Sequence, residues 1–156
     1  ESLRRIWSEV PVTERKNRYI AVIAAAAFTQ CQLLEEARNI VERALGEEWD
    51  NRLLRSYREA AGVEGSAALR SQIEHCEDWL KKQVKNAELE LTLGVLCFHQ
   101  KLWGKAQVHM EDALSHAQEA RIVREANLSL AQLHEKLGQP AEATKHYRQC
   151  ALATSS

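Results

Sequence analysis

Small and large apolar residues recur at helical spacing in the segment 93–113, and this segment sets the scale for the rest of the chain. Counting from Gly94, the recurring residues are Cys97, Ala106, Met110 and Ala113. Two helices approach closely where side chains are small, and larger side chains fill the space beside the crossing. The pattern therefore predicts a pair of antiparallel helices.

The same spacing occurs twice more in the chain. About two repeat lengths earlier it selects Ala25, Phe28, Ala37, Val41 and Ala44. About one repeat length later it selects Ala131, His134, Ala143, Tyr147 and Cys150. Helix pairs of about 34 residues with this arrangement form the tetratricopeptide repeat (TPR) pattern. Three sets in one register indicate an array of such repeats.

A degenerate repeat is expected between the first two sets. Its helices are predicted at about residues 50–61 and 66–83. Its packing positions fall on Gln72, Cys76 and Trp79. Trp79 is large where a small residue belongs, so we expect this repeat to splay. Ser66 is suited to cap the second helix.

The first ten residues form a separate amphipathic pattern. One face carries Leu3, Ile6, Trp7 and Val10, and Pro11 ends the helix. No first helix of the same repeat precedes it in the chain, so its apolar face predicts possible self-association. At the other end, Pro140 is expected in the first turn of the last helix. The extra residues of the longer last interval lie in 115–123, where we expect helix extension rather than a loop.

The sequence thus predicts an all-α fold. We expect a right-handed superhelical array of antiparallel helix pairs, a TPR-like α-solenoid of about four repeats, in one domain over residues 1–156. Its parts are an orphan helix at 1–10, repeats at 18–46, 87–118 and 122–153, and the degenerate repeat at 50–83.

Composition fits this fold and excludes several function classes. The chain has only 2 Pro and 6 Gly, so few residues break its helices. Its formal net charge is -1, so no overall charge attracts it to nucleic acid or anionic lipid. The longest apolar run, Tyr19 to Phe28, is too short to cross a bilayer. Because the sequence begins at Glu1 rather than Met, we expect a fragment whose targeting or anchoring segment has been removed.

The four cysteines show no CxxC pair. Each lies in a helical pattern, where a free cysteine acts as a small hydrophobic residue, so we expect a reducing compartment. Cys97 and His99 are two positions apart on one helix and point in different directions, so they cannot form a thiolate–imidazole pair. No other nucleophile or acid–base constellation stands out, and we expect no enzyme.

Part of the sequence goes beyond the general repeat. The string Leu102-Trp103-Gly104-Lys105-Ala106, with the upstream segments 48–54 and 76–80, resembles the C-terminal TPR region of HemY-type proteins of proteobacteria. The resemblance covers nearly the whole chain. It implies a soluble repeat domain on an inner-membrane protein linked to haem or porphyrin biosynthesis. Together with the reducing compartment expected from the cysteines, this places the soluble arm on the cytoplasmic side. It also implies a non-enzymatic scaffold that binds other proteins, with haem-pathway enzymes as the candidate partners.

The first helices of a stacked array line its concave face. The side chains predicted to bind a partner there are Tyr19, Val22, Thr29, Gln30, Glu88, Leu91, Val95, Phe98, His99, Glu125, Leu128 and Gln132. This set is apolar in the middle and polar at the rims, which suits a helix or an extended segment. For Leu91 and Val95, packing of one repeat on the next is an equal alternative. Val22 and Ala26 occupy the positions where a carboxylate clamp requires Lys and Asn.

The alternative function is a carrier that binds haem or porphyrin directly, with His99 or a cysteine as the axial ligand. No CxxCH or Cys-Pro motif supports it. His134 lies at a packing position and is expected in the core, and His109 and His116 would still need two more ligands to hold zinc. We therefore expect no metal site, and no cofactor apart from this possible haem.

Overall fold

The computed structural model describes residues 2–15 and 17–153. Within these residues the backbone forms ten helices and no strand, which confirms the all-α prediction. The helices are α1 (Ser2–Glu9), α2 (Val12–Arg15), α3 (Arg18–Gln30), α4 (Leu34–Glu47), α5 (Leu53–Glu59), α6 (Ala67–Lys82), α7 (Ala87–His99), α8 (Trp103–His116), α9 (Ala120–Lys136) and α10 (Pro140–Leu152).

The chain divides into two compact units, the first ending at Ala61 and the second beginning at Gly62. In the first unit, α3 and α4 pair and α5 packs against both. Its core includes the fully buried Phe28 and Tyr57, and the Tyr57 hydroxyl donates a hydrogen bond to Glu42 at 2.6 Å. This bond ties α5 to α4.

In the second unit, α7 pairs with α8, and α9 pairs with α10. In addition, α8 and α7 both contact α9, and α6 packs on α7. Helix α7 is therefore covered on several sides, and most of its residues are buried, among them Leu89, Leu93 and Leu96. The unit is a TPR-like stack of antiparallel helix pairs.

The predicted register is confirmed at the helix crossings. The first set is buried throughout: Ala25, Phe28, Ala37, Val41 and Ala44. The second set is buried too: Gly94, Cys97, Ala106, Met110 and Ala113. In the third set, Ala131, His134 and Ala143 are buried, while Tyr147 is exposed and Cys150 half-buried. Helix α10 is the last described helix, so within the described residues nothing packs on its outer side.

The turns inside the three helix pairs share one geometry. Gln32, Lys101 and Gly138 stand at the same place in each turn, with φ of 61°, 61° and 70°. The following residue in each turn donates its N–H to a carbonyl five residues earlier, as Leu33 does to Phe28 at 2.9 Å. This is the hydrogen bond of the Schellman motif, which favours a left-handed residue at its centre. The repeats therefore match in their turns as well as in their packing.

Three local predictions differ from the structure. A short helix, α2, follows Pro11 where none was expected, and α5 is shorter than the predicted 50–61. Residues 117–119 are not helical, although 115–123 was expected to extend the helices without a loop. The ends of α8 and α9 beside this break are held by His116 and Arg121, which bond to carboxylates of α7 at 2.8 Å and 2.6 Å. These two contacts fix the helix ends on α7.

The degenerate repeat is only partly regular. Its helices are α5 and α6, which belong to the first and second units respectively. The Ser66 hydroxyl accepts a hydrogen bond from the N–H of Leu69 at 3.1 Å, so the predicted cap is confirmed. Gln72 is fully buried and accepts a bond from the N–H of Gly62 at 2.8 Å. A single continuous array over 1–156 remains a prediction.

The crossing of α7 and α8 depends on the missing side chain of Gly94. A Cβ at Gly94 would lie 2.8 Å from Met110 Cγ and 3.1 Å from Met110 N, whereas a Cβ at Gly46 in α4 would meet nothing within 4 Å. We expect Gly94→Ala to lower the free energy of unfolding by about 1–2 kcal/mol, because α8 must move away. Gly46→Ala should raise it by about 0.5–1 kcal/mol through helix propensity.

Urea denaturation followed by far-UV circular dichroism measures both changes. The matched substitution at Gly46 shows the gain expected from alanine where space is open. If Gly94→Ala were as stabilising as Gly46→Ala, the close approach would not limit this crossing.

Candidate partner-binding surface

Helices α7 and α9 lie side by side in the second unit. The Arg121 guanidinium of α9 donates to Glu88 of α7 at 2.6 Å and to Glu125 at 2.8 Å. Glu88 and Arg121 both lie in the first turn of their helices, so α7 and α9 run in the same direction. This contact brings the N-terminal ends of the two helices together.

The carboxylate of Glu88 is committed to this ion pair. Glu88 is 6% exposed, and its hydrogen bond to Arg121 raises the pKa of the guanidinium above its ordinary value. A buried carboxylate paired in this way costs several kcal/mol to separate from its partner. Glu88, predicted as a rim residue for a partner, therefore also holds α7 to α9, while Glu125, predicted likewise, bonds to Arg121 within α9.

The structure distinguishes between Leu91 and Val95, for which packing was the alternative. Leu91 is 1% exposed and lies in a cluster with Ala113 and Ala126, so it joins α7 to both α8 and α9. Val95 is only partly buried at the edge of this cluster. Leu91 is thus a packing residue, whereas part of the Val95 side chain remains open to a partner.

An aromatic contact lies at the C-terminal end of α7. The ring of Phe98 is half-buried and meets the ring of Trp103 edge to face at 5.4 Å between centroids. The imidazole of His99 lies 6.1 Å from Phe98. His99 is exposed as a residue, but nearby protein atoms displace water from part of its ring and lower its pKa. Its imidazole is therefore neutral near neutral pH.

Helix α9 carries the other predicted apolar and polar side chains of the second unit. Leu128 is 40% exposed, and Gln132 one turn later is exposed as well. We call the set Val95, Phe98, His99, Leu128 and Gln132 the α7–α9 surface. It combines partly exposed apolar side chains with two polar ones on rigid helices, which is the character expected of a peptide-binding surface.

The residues predicted on α3 lie in the first unit. Tyr19 is 56% exposed, and the guanidinium carbons of Arg18 and Arg52 lie 5.2 Å and 5.1 Å from its ring centroid. Val22 is half-buried and Gln30 is exposed. Thr29 is 7% exposed and its hydroxyl donates to the Ala25 carbonyl at 2.7 Å, so it is directed into its own helix. Of these four, Thr29 is the one that the structure withdraws from the surface.

Sequence reasoning missed two residues of this region. Trp103 was named only for the family resemblance, yet its ring packs against Phe98 across the turn between α7 and α8. Arg121 was not considered, although it joins both helices of the surface. The proximity of Trp103 could have been found from its place five residues after Phe98, across a tight turn.

The thiols and imidazoles show little reactive character. Cys76 and Cys97 are fully buried, and burial raises the pKa of Cys97 to about 11, so its thiol stays protonated at neutral pH. Cys31 is exposed at the end of α3, contrary to the expectation of a helical apolar position.

Among the described residues no three metal-ligating side chains cluster. None of the described helices has the length and apolar character needed to span a membrane.

Comparisons with known proteins add little to this description. No family model matches the chain, and no curated protein matches it. The solved structure of MamA (AMB-1) aligns with 85% of this chain and 70% of its own, at 15% identity and a TM-score of 0.45. A likeness at this level carries no argument about function. The fold assignment rests on the helix pairs described above.

Two histidines stack between α9 and α10, and one of them, His146, is only half-buried. The rings of His134 and His146 are parallel to within 3° at 5.4 Å between centroids. His134 is 5% exposed, which confirms its predicted core position. Their Nδ1 atoms bond to the side-chain oxygens of Gln139 and Asn127 at 2.6 Å and 2.9 Å. An amide oxygen only accepts, so each Nδ1 donates its hydrogen in these bonds.

This stack predicts a pH-dependent stability for α10. Burial, and then the charge of His134, lower the pKa of His146 from its usual 6.5. The unfolded state therefore takes up a proton at higher pH than the folded state, and the stability present above pH 6.5 is lost as pH falls below that value. The other charged groups near His146 are Glu142, Lys145 and Glu111.

Amide hydrogen exchange measured at about pH 7.5 and about pH 5.5, corrected for intrinsic rates, tests this coupling. We expect protection in α10 to fall at least about threefold on acidification, while protection in α4, which contains no histidine, changes less. His146→Phe keeps an aromatic ring beside His134 but cannot titrate, so its α10 should lose less protection. An equal loss in the variant would contradict the role of His146.

Proposed function

We propose that this chain is a non-enzymatic protein-interaction scaffold that binds a partner through the α7–α9 surface. The observation that carries the proposal is the arrangement of Val95, Phe98 and Leu128, which are partly exposed on two helices fixed by buried packing and ion pairs. Rigid, partly exposed apolar side chains cost little conformational entropy when a partner covers them. An amphipathic helix or an extended segment of a partner fits such a surface.

We further propose that the scaffold is the soluble, cytoplasmic arm of a HemY-like inner-membrane protein that recruits or organises haem-pathway enzymes. The support is the string Leu102–Ala106, whose tryptophan packs directly on Phe98. The residues that carry the family resemblance thus lie next to the proposed binding surface. The predicted residues of α3, led by the exposed Tyr19, extend the same proposal to the first unit.

Self-association through the orphan helix is a further part of this proposal. The apolar side of α1 and the outer side of α3 border a groove of about 240 Å³. Ile6 of α1 is 54% exposed and Ile23 of α3 is 72% exposed. A second copy covering these side chains would remove them from water.

Partner capture tests the α7–α9 surface. Phe98→Ala combined with Leu128→Ala should weaken capture of haem-pathway proteins at least about tenfold, since central apolar contacts dominate such interfaces. Leu91 is unsuitable as a test, because truncating a residue that is 1% exposed would cost about 2–5 kcal/mol of stability. Capture on the tagged, membrane-anchored protein, with mass spectrometry of the bound proteins, measures the effect.

Val108→Ala is the matched control, since Val108 is 55% exposed on α8 and lies outside the proposed surface. It should capture the same proteins as the unaltered chain. Far-UV circular dichroism confirms that helical content is kept in each variant. Equal capture by the double variant and the control would remove the α7–α9 surface as the site. An untagged copy recovered with the tagged one would support self-association.

A direct haem or porphyrin carrier is the second candidate, and the position of His99 favours it. Its imidazole is exposed, has a lowered pKa and lies beside the ring of Phe98, so a neutral nitrogen and an aromatic contact are both present. If this candidate is right, haemin should give a Soret shift that His99→Ala abolishes and His75→Ala leaves unchanged. If haemin gives no Soret shift with the unaltered chain, the carrier candidate is excluded and the scaffold proposal remains.

A further inference from the structure

The first unit contains a pocket that the proposed scaffold function does not use. It lies between α1, α2 and α4 and has a volume of about 200 Å³. Its apolar wall is formed by Trp7, Val12 and Ile40. An apolar cavity of about 150 Å³ is large enough to admit benzene. The pocket is therefore large enough for one aromatic ring or a short branched chain.

The wall around Trp7 is held in place by several contacts. The Arg15 guanidinium lies over the Trp7 ring at 5.6 Å and donates to the carbonyls of Ser8 and Val10 at 2.9 Å and 2.8 Å. The Trp7 ring also packs edge to face with Phe28, at 6.2 Å between centroids. The ring is thus held by contacts with a cation and with the core of the unit.

The rim of the pocket carries polar groups on one stripe of α4. Asn39 and Arg43 are one helical turn apart, both exposed, and both border the pocket. A guanidinium and an amide N–H at this spacing can share the two oxygens of one carboxylate. Arg15 adds a second positive charge, although two of its nitrogens already donate to backbone carbonyls.

Glu36 on the same stripe does not cancel the positive charge of the rim. Its carboxylate is paired with Arg4, and this ion pair lowers the pKa of Glu36. Because Arg4 offsets the charge of Glu36, the charges of Arg15 and Arg43 remain and favour an anionic group. The two neighbouring donors, Arg43 and Asn39, match the two oxygens of one carboxylate.

We propose that this pocket binds a small ligand with an apolar body and a single carboxylate. The body packs against Trp7 and Ile40, and the carboxylate accepts hydrogen bonds from Arg43 and Asn39. An apolar wall with a few polar groups at its rim is typical of sites that orient a ligand through a small number of polar contacts. The same chemistry is offered by a free carboxylic acid and by the C-terminal residue of a peptide.

Binding is tested with 3-phenylpropionate as the free acid and acetyl-Gly-Phe as the peptide terminus. Each is titrated into the full chain while the indole N–H resonance of Trp7 is followed by NMR. The uncharged controls are 3-phenylpropionamide and the amidated peptide. We expect the carboxylates to shift the Trp7 resonance with saturation, and the amides to bind at least about tenfold more weakly, since a hydrogen-bonded charge is lost.

Arg43→Gln should weaken binding of the two carboxylates by about tenfold and leave binding of the two amides nearly unchanged. The matched control, Arg55→Gln, removes an exposed arginine that is paired with Glu59 on α5 and lies outside the pocket, and it should bind like the unaltered chain. No saturable shift with either carboxylate would overturn the proposal, as would equal affinities of acid and amide or no effect of Arg43→Gln. Binding of one carboxylate but not the other identifies which source the pocket takes.

Discussion

The close approach of α7 and α8 at Gly94 is the contact on which the second unit depends. With no side chain at Gly94, the backbone of Met110 comes within 3.1 Å of where a Cβ would stand, and the carbonyl of Ala106 within 3.3 Å. This proximity brings the buried residues of α8 against α7, and α9 then packs on both helices. The proposed α7–α9 surface depends on this packing, because the packing fixes the two helices that carry its side chains. A rigid scaffold of this kind presents its contacts with little loss of entropy on binding.

Much of this fold could be predicted because it is encoded locally. Small residues such as Ala25, Ala106 and Ala131 recur at fixed spacing, and all three are fully buried at the crossings. The ion pairs that hold the N-terminal ends of the helices follow no such rule. Glu88 and Arg121 come together only after two turns have folded the chain back on itself. Periodicity describes one helix at a time, so the non-helical residues 117–119 beside this pair could not be anticipated.

The exposure of individual residues in the proposed partner-binding surface could not be predicted from the sequence. Helix α7 is apolar on nearly every side, so its sequence does not separate the face that packs from the face that remains open. Leu91 and Phe98 were assigned to one surface, yet Leu91 is buried between three helices while Phe98 is half-buried beside Trp103. The difference arises from the neighbours α8 and α9, which cover the middle of α7 more completely than its C-terminal end.

Helix packing explains some, but not all, of the residues on which the resemblance to HemY-type proteins is based. Ala106 is fully buried at the helix crossing, and Trp103 packs on Phe98, so helix packing accounts for both. Gly104 is different, because a Cβ there would meet no atom within 4 Å and the residue is exposed in the first turn of α8. Neither packing nor backbone strain requires glycine at that position. A glycine in a helix costs about 1 kcal/mol relative to alanine, and here it leaves the backbone beside Trp103 uncovered. The position that folding does not explain therefore adjoins the aromatic end of the proposed binding surface, where a partner's main chain could approach closely.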